Sequence, residues 1–125
     1  MKLQESGEMY LETILILSRT SSKVRSIDIC DYMGFSKPSV SHAVGLLKNG
    51  DLIRVEKDGG IVLTEEGRDI AEKTYERHTL LTQLFIELGV DPRIAAEDAC
   101  KIEHDISDAT FEALKSHIEK KDILH

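Results

Sequence analysis

The chain has 125 residues, enough for one domain or for a small domain with a second lobe, and its hydrophobic content of 41% supports a folded core. A membrane span requires about 18 consecutive apolar residues, and every apolar run in this sequence is shorter. The first residues also lack the apolar stretch of a signal peptide, so we expect a cytoplasmic protein. The net charge of −7 lies in residues 63–125, since residues 1–62 hold 8 basic and 8 acidic side chains, which makes the neutral half the place to look for a nucleic-acid-binding element.

Three helices are predicted in this first half, over residues 5–18, 27–33 and about 37–49. Apolar residues recur in each at the helical period, with Ile27, Ile29 and Cys30 facing inward in the second helix. Ser26 and Ser36 are the predicted N-caps of the second and third helices. Gly34 ends the second helix, and the short turn that follows it leads directly into the third. This arrangement is typical of a helix-turn-helix.

A β-hairpin is predicted directly after the third helix. Its strands are residues 52–56 and 61–63, joined by a turn over 57–60. The dipeptide Asp58-Gly59 indicates a two-residue primed turn. A hairpin at this place would make the helix-turn-helix a winged one.

The second half is predicted to be helical throughout. Thr64 caps a long helix over residues 65–88, Asp91-Pro92 begins a helix that continues to about Ile106, and Ser107 caps a last helix to about Lys120. We therefore expect a mainly α protein, with a winged helix-turn-helix domain at 1–64 and a helical domain at 65–125.

Cys100, Glu103 and His104 stand at i, i+3 and i+4 of one predicted helix, so their side chains would share a face. Thiolate, carboxylate and imidazole all bind divalent transition metals. Spacing alone leaves two interpretations open: a metal-binding face, or a polar helix face beside a structural cysteine. Three further candidate donors lie on other helices, namely Met9, Glu12 and His78.

The third helix is the candidate recognition helix. Small hydroxyl and basic side chains on its exposed face suit close approach to phosphates and base edges in a major groove. Two more cations, one before the second helix and one at the hairpin tip, could reach adjacent phosphates. The candidate DNA-binding residues are Arg25, Ser36, Lys37, Pro38, Ser39, Ser41, His42, Lys48 and Lys57.

Several stretches resemble the diphtheria-toxin-repressor family of iron- and manganese-dependent bacterial repressors, and the resemblance covers nearly the whole chain. They are Glu8-Met9-Tyr10-Leu11, Ser36-Lys37-Pro38-Ser39-Val40-Ser41, Leu63-Thr64-Glu65-Glu66-Gly67, Arg77-His78 and Ala99-Cys100-Lys101-Ile102-Glu103-His104. The resemblance implies a divalent metal that joins the first helix to the helix carrying Cys100. It further implies a primary site of Met9, Cys100, Glu103 and His104, with Glu12 and His78 holding a second or shared metal.

The ligand set resembles two branches of the family at once. Met9 and Cys100 resemble the iron-type primary site, whereas Glu12 resembles the manganese-type branch. The two iron-type partners of His78 are replaced by Thr82 and Ala96. Since the sequence stops near residue 125, the resemblance leads us to expect the two-domain layout of the manganese-type branch, without the SH3-like third domain of the iron regulators.

The resemblance implies a metal-dependent repressor that binds a near-palindromic operator as a homodimer and controls metal homeostasis, and that is not an enzyme. Fe²⁺ is the first choice of metal and Mn²⁺ the second, with Zn²⁺, Co²⁺ or Ni²⁺ expected to bind in vitro. Two other hypotheses are a thiol-redox regulator acting through Cys100 and a metallohydrolase, although no HExxH motif supports the latter.

Overall fold

The protein is described by a computed structural model that covers the backbone of residues 5–124 and the side chains of residues 6–120. The chain divides into two compact units, Met1–Lys73 and Thr74–His125, here called the N-terminal and C-terminal units. The described residues form six helices and one two-stranded sheet, which confirms the expected mainly α fold. No helix among them is long and apolar enough to cross a membrane.

The N-terminal unit contains three helices and a hairpin. They are α1 (Glu5–Thr20), α2 (Ser26–Met33), α3 (Lys37–Asn49), β1 (Ile53–Val55) and β2 (Ile61–Leu63). Each helix contributes one aliphatic stripe to a shared core, as the helical periods predicted, and the fully buried side chains include Leu11, Ile14, Leu15, Ile29, Val40 and Ile53. Ile27 is an exception, because it is exposed on α2 rather than directed inward.

Helices α2 and α3 form the predicted helix-turn-helix. Gly34 closes α2 in the left-handed conformation, with φ of 73°, a value that glycine adopts without steric strain. Ser36 caps α3 by accepting a hydrogen bond from the Ser39 backbone amide. Ser26 was wrongly predicted as the cap of α2: Arg25 occupies that position, and its backbone amide donates to Asp28 Oδ2 at 2.9 Å.

The hairpin pairs Ile53 with Leu63 and Val55 with Ile61 in antiparallel register. Its turn differs from the prediction. Only Gly59 has a positive φ, whereas a two-residue primed turn needs two such residues. The Glu56 carbonyl accepts from the Gly59 amide, and the Glu56 amide donates to the Gly60 carbonyl, which makes a three-residue loop with a glycine bulge.

Gly67 explains the close approach of the hairpin to the next helix. A Cβ atom at this position would lie 1.9 Å from the Leu52 carbonyl oxygen, so only glycine fits. The preceding Thr64 caps that helix through its hydroxyl, which accepts from the Gly67 amide and donates to the Asp51 carbonyl. The Leu63–Gly67 stretch thus joins the hairpin and the helix rigidly.

The remaining helices are α4 (Glu65–Glu87), which begins in the N-terminal unit, α5 (Pro92–Ile102) and α6 (Asp108–Leu124). Asp91 and Ser107 cap α5 and α6 as predicted. Helix α5 ends at Ile102, four residues earlier than expected. Glu103 and His104 therefore lie in the turn between α5 and α6 rather than within a helix.

Candidate metal centre and nucleic-acid interface

The exposed face of α3 carries the predicted hydroxyl and basic side chains. The exposed side chains are Lys37, Ser39, Ser41, His42 and Lys48, while Val40, Val44 and Leu47 of the same helix are buried. Ser36 and Ser39 at the helix start share a hydrogen bond of 3.0 Å between their hydroxyls. With Pro38 in the first turn, the N-terminal end of the helix is rigidly capped and presents its amides and hydroxyls to solvent. This end suits contacts to phosphates.

The hairpin tip carries Lys57, which is exposed. Asp58 beside it is the centre of a local network: one carboxylate oxygen accepts from the Gly60 amide at 3.0 Å, and the other is paired with Lys23 Nζ. The hydrogen bond from Lys23, followed by that from Gly60, lowers the pKa of the Asp58 carboxyl. The Asp58 carbonyl also accepts from Arg25 Nε at 3.3 Å.

This network places Arg25, a predicted DNA-binding residue, against the hairpin tip, where Lys57 precedes Asp58. Sequence reasoning missed Lys23 and Asp58. The antiparallel bridge between Val24 and Ile61 holds the segment that contains Lys23 against the hairpin. No sequence pattern reveals that pairing, because the whole helix-turn-helix and the first strand lie between the two residues.

In the C-terminal unit, three of the predicted metal ligands lie together. Glu103 is 2% exposed, and each of its carboxylate oxygens faces an imidazole. His78 Nδ1 on α4 lies 2.9 Å from Glu103 Oε2, and His104 Nε2 lies 3.2 Å from Glu103 Oε1. We call these three residues the His–Glu–His cluster.

The donor chemistry of the cluster fits a divalent transition metal. A carboxylate is costly to bury unless hydrogen-bonding or cationic partners compensate it. One carboxylate and two imidazoles are the oxygen and nitrogen donors that Fe²⁺, Mn²⁺ and Zn²⁺ accept. The cluster therefore offers a cation a buried negative charge with two nitrogen ligands beside it.

The other predicted ligands lie on two helices. Cys100 is half-buried on α5, one helical turn before Glu103, and is not in a disulfide. Met9 and Glu12 lie one turn apart on α1, both half-buried, in the N-terminal unit. Thr82 lies on α4, and its hydroxyl donates to the His78 carbonyl at 2.7 Å.

Arg77 precedes His78 on α4 and is a residue to which sequence reasoning assigned no role. Its side chain is 9% exposed, and its Nη1 donates to the carbonyls of Glu103, at 3.0 Å, and Ile106, at 2.8 Å. Its Nη2 pairs with Asp108, and its guanidinium lies 5.3 Å from the centre of the Phe111 ring. The sequence feature that could have revealed this role is the helical spacing of Thr74, Arg77 and Leu81. All three are buried, so the arginine lies on the inward face of α4.

Two family models match the chain. Residues 2–61 match the iron dependent repressor N-terminal DNA binding domain, and residues 64–122 match the iron dependent repressor metal binding and dimerisation domain. The first match contains the helix-turn-helix and hairpin, and the second contains the His–Glu–His cluster.

Curated relatives include transcriptional regulators. The transcriptional regulator MntR of Escherichia coli O157:H7 is 33% identical over 111 residues, which are 89% of this chain and 72% of the relative. An uncharacterised HTH-type transcriptional regulator of Methanocaldococcus jannaschii is 31% identical over 120 residues, or 94% of this chain and 96% of the relative. These names favour the regulator over the metallohydrolase.

Solved structures show the same architecture. The manganese regulator SloR matches 95% of the chain with 31% identity and a TM-score of 0.80, and ScaR with bound Zn²⁺ matches 90% with 28% identity and a TM-score of 0.76. The chain spans about half the length of these proteins, 55% and 53% respectively.

Proposed function

The chain belongs to the iron-dependent repressor family, also called the diphtheria-toxin-repressor family, and on this premise we propose that it is a divalent-metal-dependent transcriptional repressor that binds operator DNA as a homodimer. The observation that carries the proposal is the His–Glu–His cluster, a buried carboxylate between two imidazoles. The same chain supplies a winged helix-turn-helix with exposed basic and hydroxyl side chains.

The proposed ligands are the three residues of the cluster together with Cys100, Met9 and Glu12. Glu103, His104, Cys100 and Met9 form the proposed primary set, and His78 and Glu12 hold a second or shared metal. The 2.9 Å approach of His78 to Glu103 supports a set in which His78 and His104 share one carboxylate. The inclusion of Met9 and Glu12 depends on the family resemblance and on their thioether and carboxylate donors.

Fe²⁺ is the proposed first choice of metal, with Mn²⁺ as the second. A thioether and a thiolate are soft ligands, and Mn²⁺ prefers oxygen donors and binds weakly in the divalent series. The imidazoles and carboxylates suit either ion. The names of the manganese regulator SloR and of ScaR with bound Zn²⁺ describe those proteins, whose likeness supports a divalent transition metal as the class.

The proposed DNA contacts come from the exposed face of α3 and from the hairpin. The proposed groove-facing end of α3 consists of Ser36, Lys37, Pro38, Ser39, Ser41 and His42. The proposed contacts to flanking phosphates come from Lys48, Arg25 and Lys57. The N-terminal unit has no excess of positive charge, so its sequence-independent affinity for DNA should be modest. Tight operator binding should therefore need two half-sites, each bound by one subunit of a dimer. We propose a near-palindromic operator for that reason.

Regulation follows from linkage. A bound cation supplies positive charge beside the buried Glu103 carboxylate and stabilises the DNA-competent state by its differential affinity for that state. DNA raises the affinity for the cation by the same factor, because coupling between two binding sites is reciprocal. Glu103, His78 and His104 act here as ligands and perform no chemistry on a substrate.

The test is operator affinity measured anaerobically, by fluorescence anisotropy, with Fe²⁺, with Mn²⁺ and with a chelator. The unaltered protein should bind tightly only with metal. Glu103→Gln should lose more than about 10-fold in metal affinity, because even residues behind the ligands contribute that much. Glu119→Gln, an exposed glutamate on α6, is the matched control and should behave as the unaltered protein. Equal DNA affinity with metal and with chelator would reject the proposal.

A further inference from the structure

Glu103 is held at two points by consecutive residues of α4. Its carboxylate meets His78, and its backbone carbonyl accepts from the guanidinium of Arg77. One segment of α4 thus fixes both the main chain and the side chain of the same buried glutamate.

The turn after α5 needs such support, because backbone carbonyls in a turn lack the regular partners of a helix and are costly to bury without a hydrogen-bond donor. Glu103 and Ile106 both offer carbonyls to Arg77, at 3.0 and 2.8 Å. A guanidinium suits this place because its planar group donates several hydrogen bonds. Its positive charge is also stabilised near the C-terminal end of a helix, where the helix dipole is negative. The buried guanidinium is balanced by Asp108 at the start of α6 and packs against the Phe111 ring.

We propose that Arg77 is a positioning residue for the metal ligands: it fixes the turn between α5 and α6 so that Glu103 and His104 stand at the places where they meet His78. The inference rests on the proposed metal function, which it deepens. It explains why Glu103 and His104, which lie just outside α5, are held in place although the helix that carries Cys100 has ended.

The main test compares Arg77→Met with the unaltered protein. The charge and all donors are lost, while a flexible apolar side chain of similar length remains. Co²⁺ is the probe, read by its absorption spectrum and by a competition titration. The expected result is a loss of about 10-fold or more in Co²⁺ affinity, the range known for residues that support metal ligands, together with an altered ligand-field spectrum.

A second measurement needs no metal. The amides of Glu103, Asp105 and Ile106 donate to carbonyls of Ala99 and Ile102. In metal-free Arg77→Met these amides should exchange with solvent faster than in the unaltered protein, while those of α6 beyond Phe111 keep their rates. Unchanged exchange of the turn amides would overturn the inference.

Ile118→Ala is the matched control for loss of stability, since Ile118 is buried on α6 and makes none of the Arg77 contacts. It should lower the thermal midpoint and leave Co²⁺ affinity and spectrum unchanged. If Arg77→Met does not fold, Arg77→Lys keeps the charge and fewer donors, and it should show an intermediate loss. Arg77 variants that match the unaltered protein in Co²⁺ affinity and spectrum would refute the positioning role, even if their turn amides exchanged faster. An unaltered protein that binds no Co²⁺ would instead refute the metal function, and the exchange measurement would still decide the role of Arg77.

Discussion

At the scale of single residues, the two sulfur donors decide the proposed choice of metal. If Met9 and Cys100 both ligate, Fe²⁺ should be favoured over Mn²⁺ at equal free concentration. Replacing them together, by Met9→Asp with Cys100→Glu, supplies hard oxygen donors and should shift the response toward Mn²⁺. The measurement is operator affinity and thermal midpoint against each metal, under anaerobic conditions.

The control for this prediction is Met9→Leu with Cys100→Ser, which removes the soft donors without adding carboxylates. It should lose Fe²⁺ affinity without gaining Mn²⁺ affinity. If the two residues only pack, the acidic pair would add charge at half-buried positions and lower the free energy of unfolding by about 1–3 kcal/mol, with or without metal. An unaltered protein that responds better to Mn²⁺ than to Fe²⁺ would show that the sulfur atoms do not set the preference.

Asp58 provides a prediction about pH in the N-terminal unit. Its folded-state pKa lies below the ordinary value, chiefly because of the hydrogen bond from Lys23. Its contribution to stability should therefore be complete above the pKa of the unfolded state, about 3.9, and should be lost as the pH falls through the lowered folded value. Nuclear magnetic resonance titration of the Asp58 carboxyl measures this directly, and Lys23→Gln should move its pKa back toward the ordinary value. An identical titration in both proteins would contradict the network at the hairpin tip.

At the scale of elements, the start of α3 allows DNA binding to be separated from folding. Ser36 is the N-cap and Ser39 lies three residues later. Ser39→Glu would create the capping-box pattern, in which a serine N-cap is followed three residues later by glutamate. The thermal midpoint should then stay the same or rise, while the new negative charge against phosphate abolishes specific DNA binding.

Ser116→Glu, at an exposed position of α6, adds the same charge outside the proposed interface. It should leave operator binding close to that of the unaltered protein. Metal affinity should be unchanged in both variants. Specific binding that survives in Ser39→Glu would show that the start of α3 does not enter the groove.

The hairpin tip is expected to contact a phosphate through Lys57. Lys57→Ala should weaken binding to all DNA sequences and reduce the slope of log affinity against log salt by about 0.9, the value for one phosphate contact. Lys120→Ala on α6 is the control, because it removes an equally exposed charge from the other unit. The same slope in all three proteins would exclude the hairpin from the interface.

Most helix starts were predictable from local signals, although Arg25 rather than Ser26 caps α2, whereas features that depend on distant partners were not. Ser36, Thr64 and Asp91 cap helices that begin where they were expected, because capping involves residues only two or three positions apart. The turn after α5 has its carbonyls satisfied by Arg77, which is 26 and 29 residues away from them. The predicted continuation to Ile106 followed the apolar period, which carries no information about that arginine.

The whole molecule shows the same limit at its candidate site. Cys100, Glu103 and His104 were found by their spacing on one segment, but the contact between His78 and Glu103 joins residues 25 positions apart. Spacing along the chain cannot predict such a contact, and the family resemblance assigned His78 only to a second or shared metal. The charge division was readable directly, because the acidic excess lies in the half that contains the cluster.

Assembly of the whole molecule is the last prediction. Large apolar side chains remain exposed along the end of α4 and along α5, namely Ile86, Leu88, Ile94 and Ile102. Phe111 and Ile118 on α6, by contrast, are buried within the chain. We therefore expect the homodimer contact to involve the exposed α4–α5 set, since association would remove these apolar side chains from water.

Ile94→Glu tests this contact. It should convert the dimer to a monomer at micromolar concentration, as measured by sedimentation, because it would bury a charge in that contact. Its operator affinity should fall steeply, since one helix-turn-helix reads only one half-site. Ile27→Glu, an exposed isoleucine of the N-terminal unit, should remain dimeric, and a dimeric Ile94→Glu would place the contact on another surface.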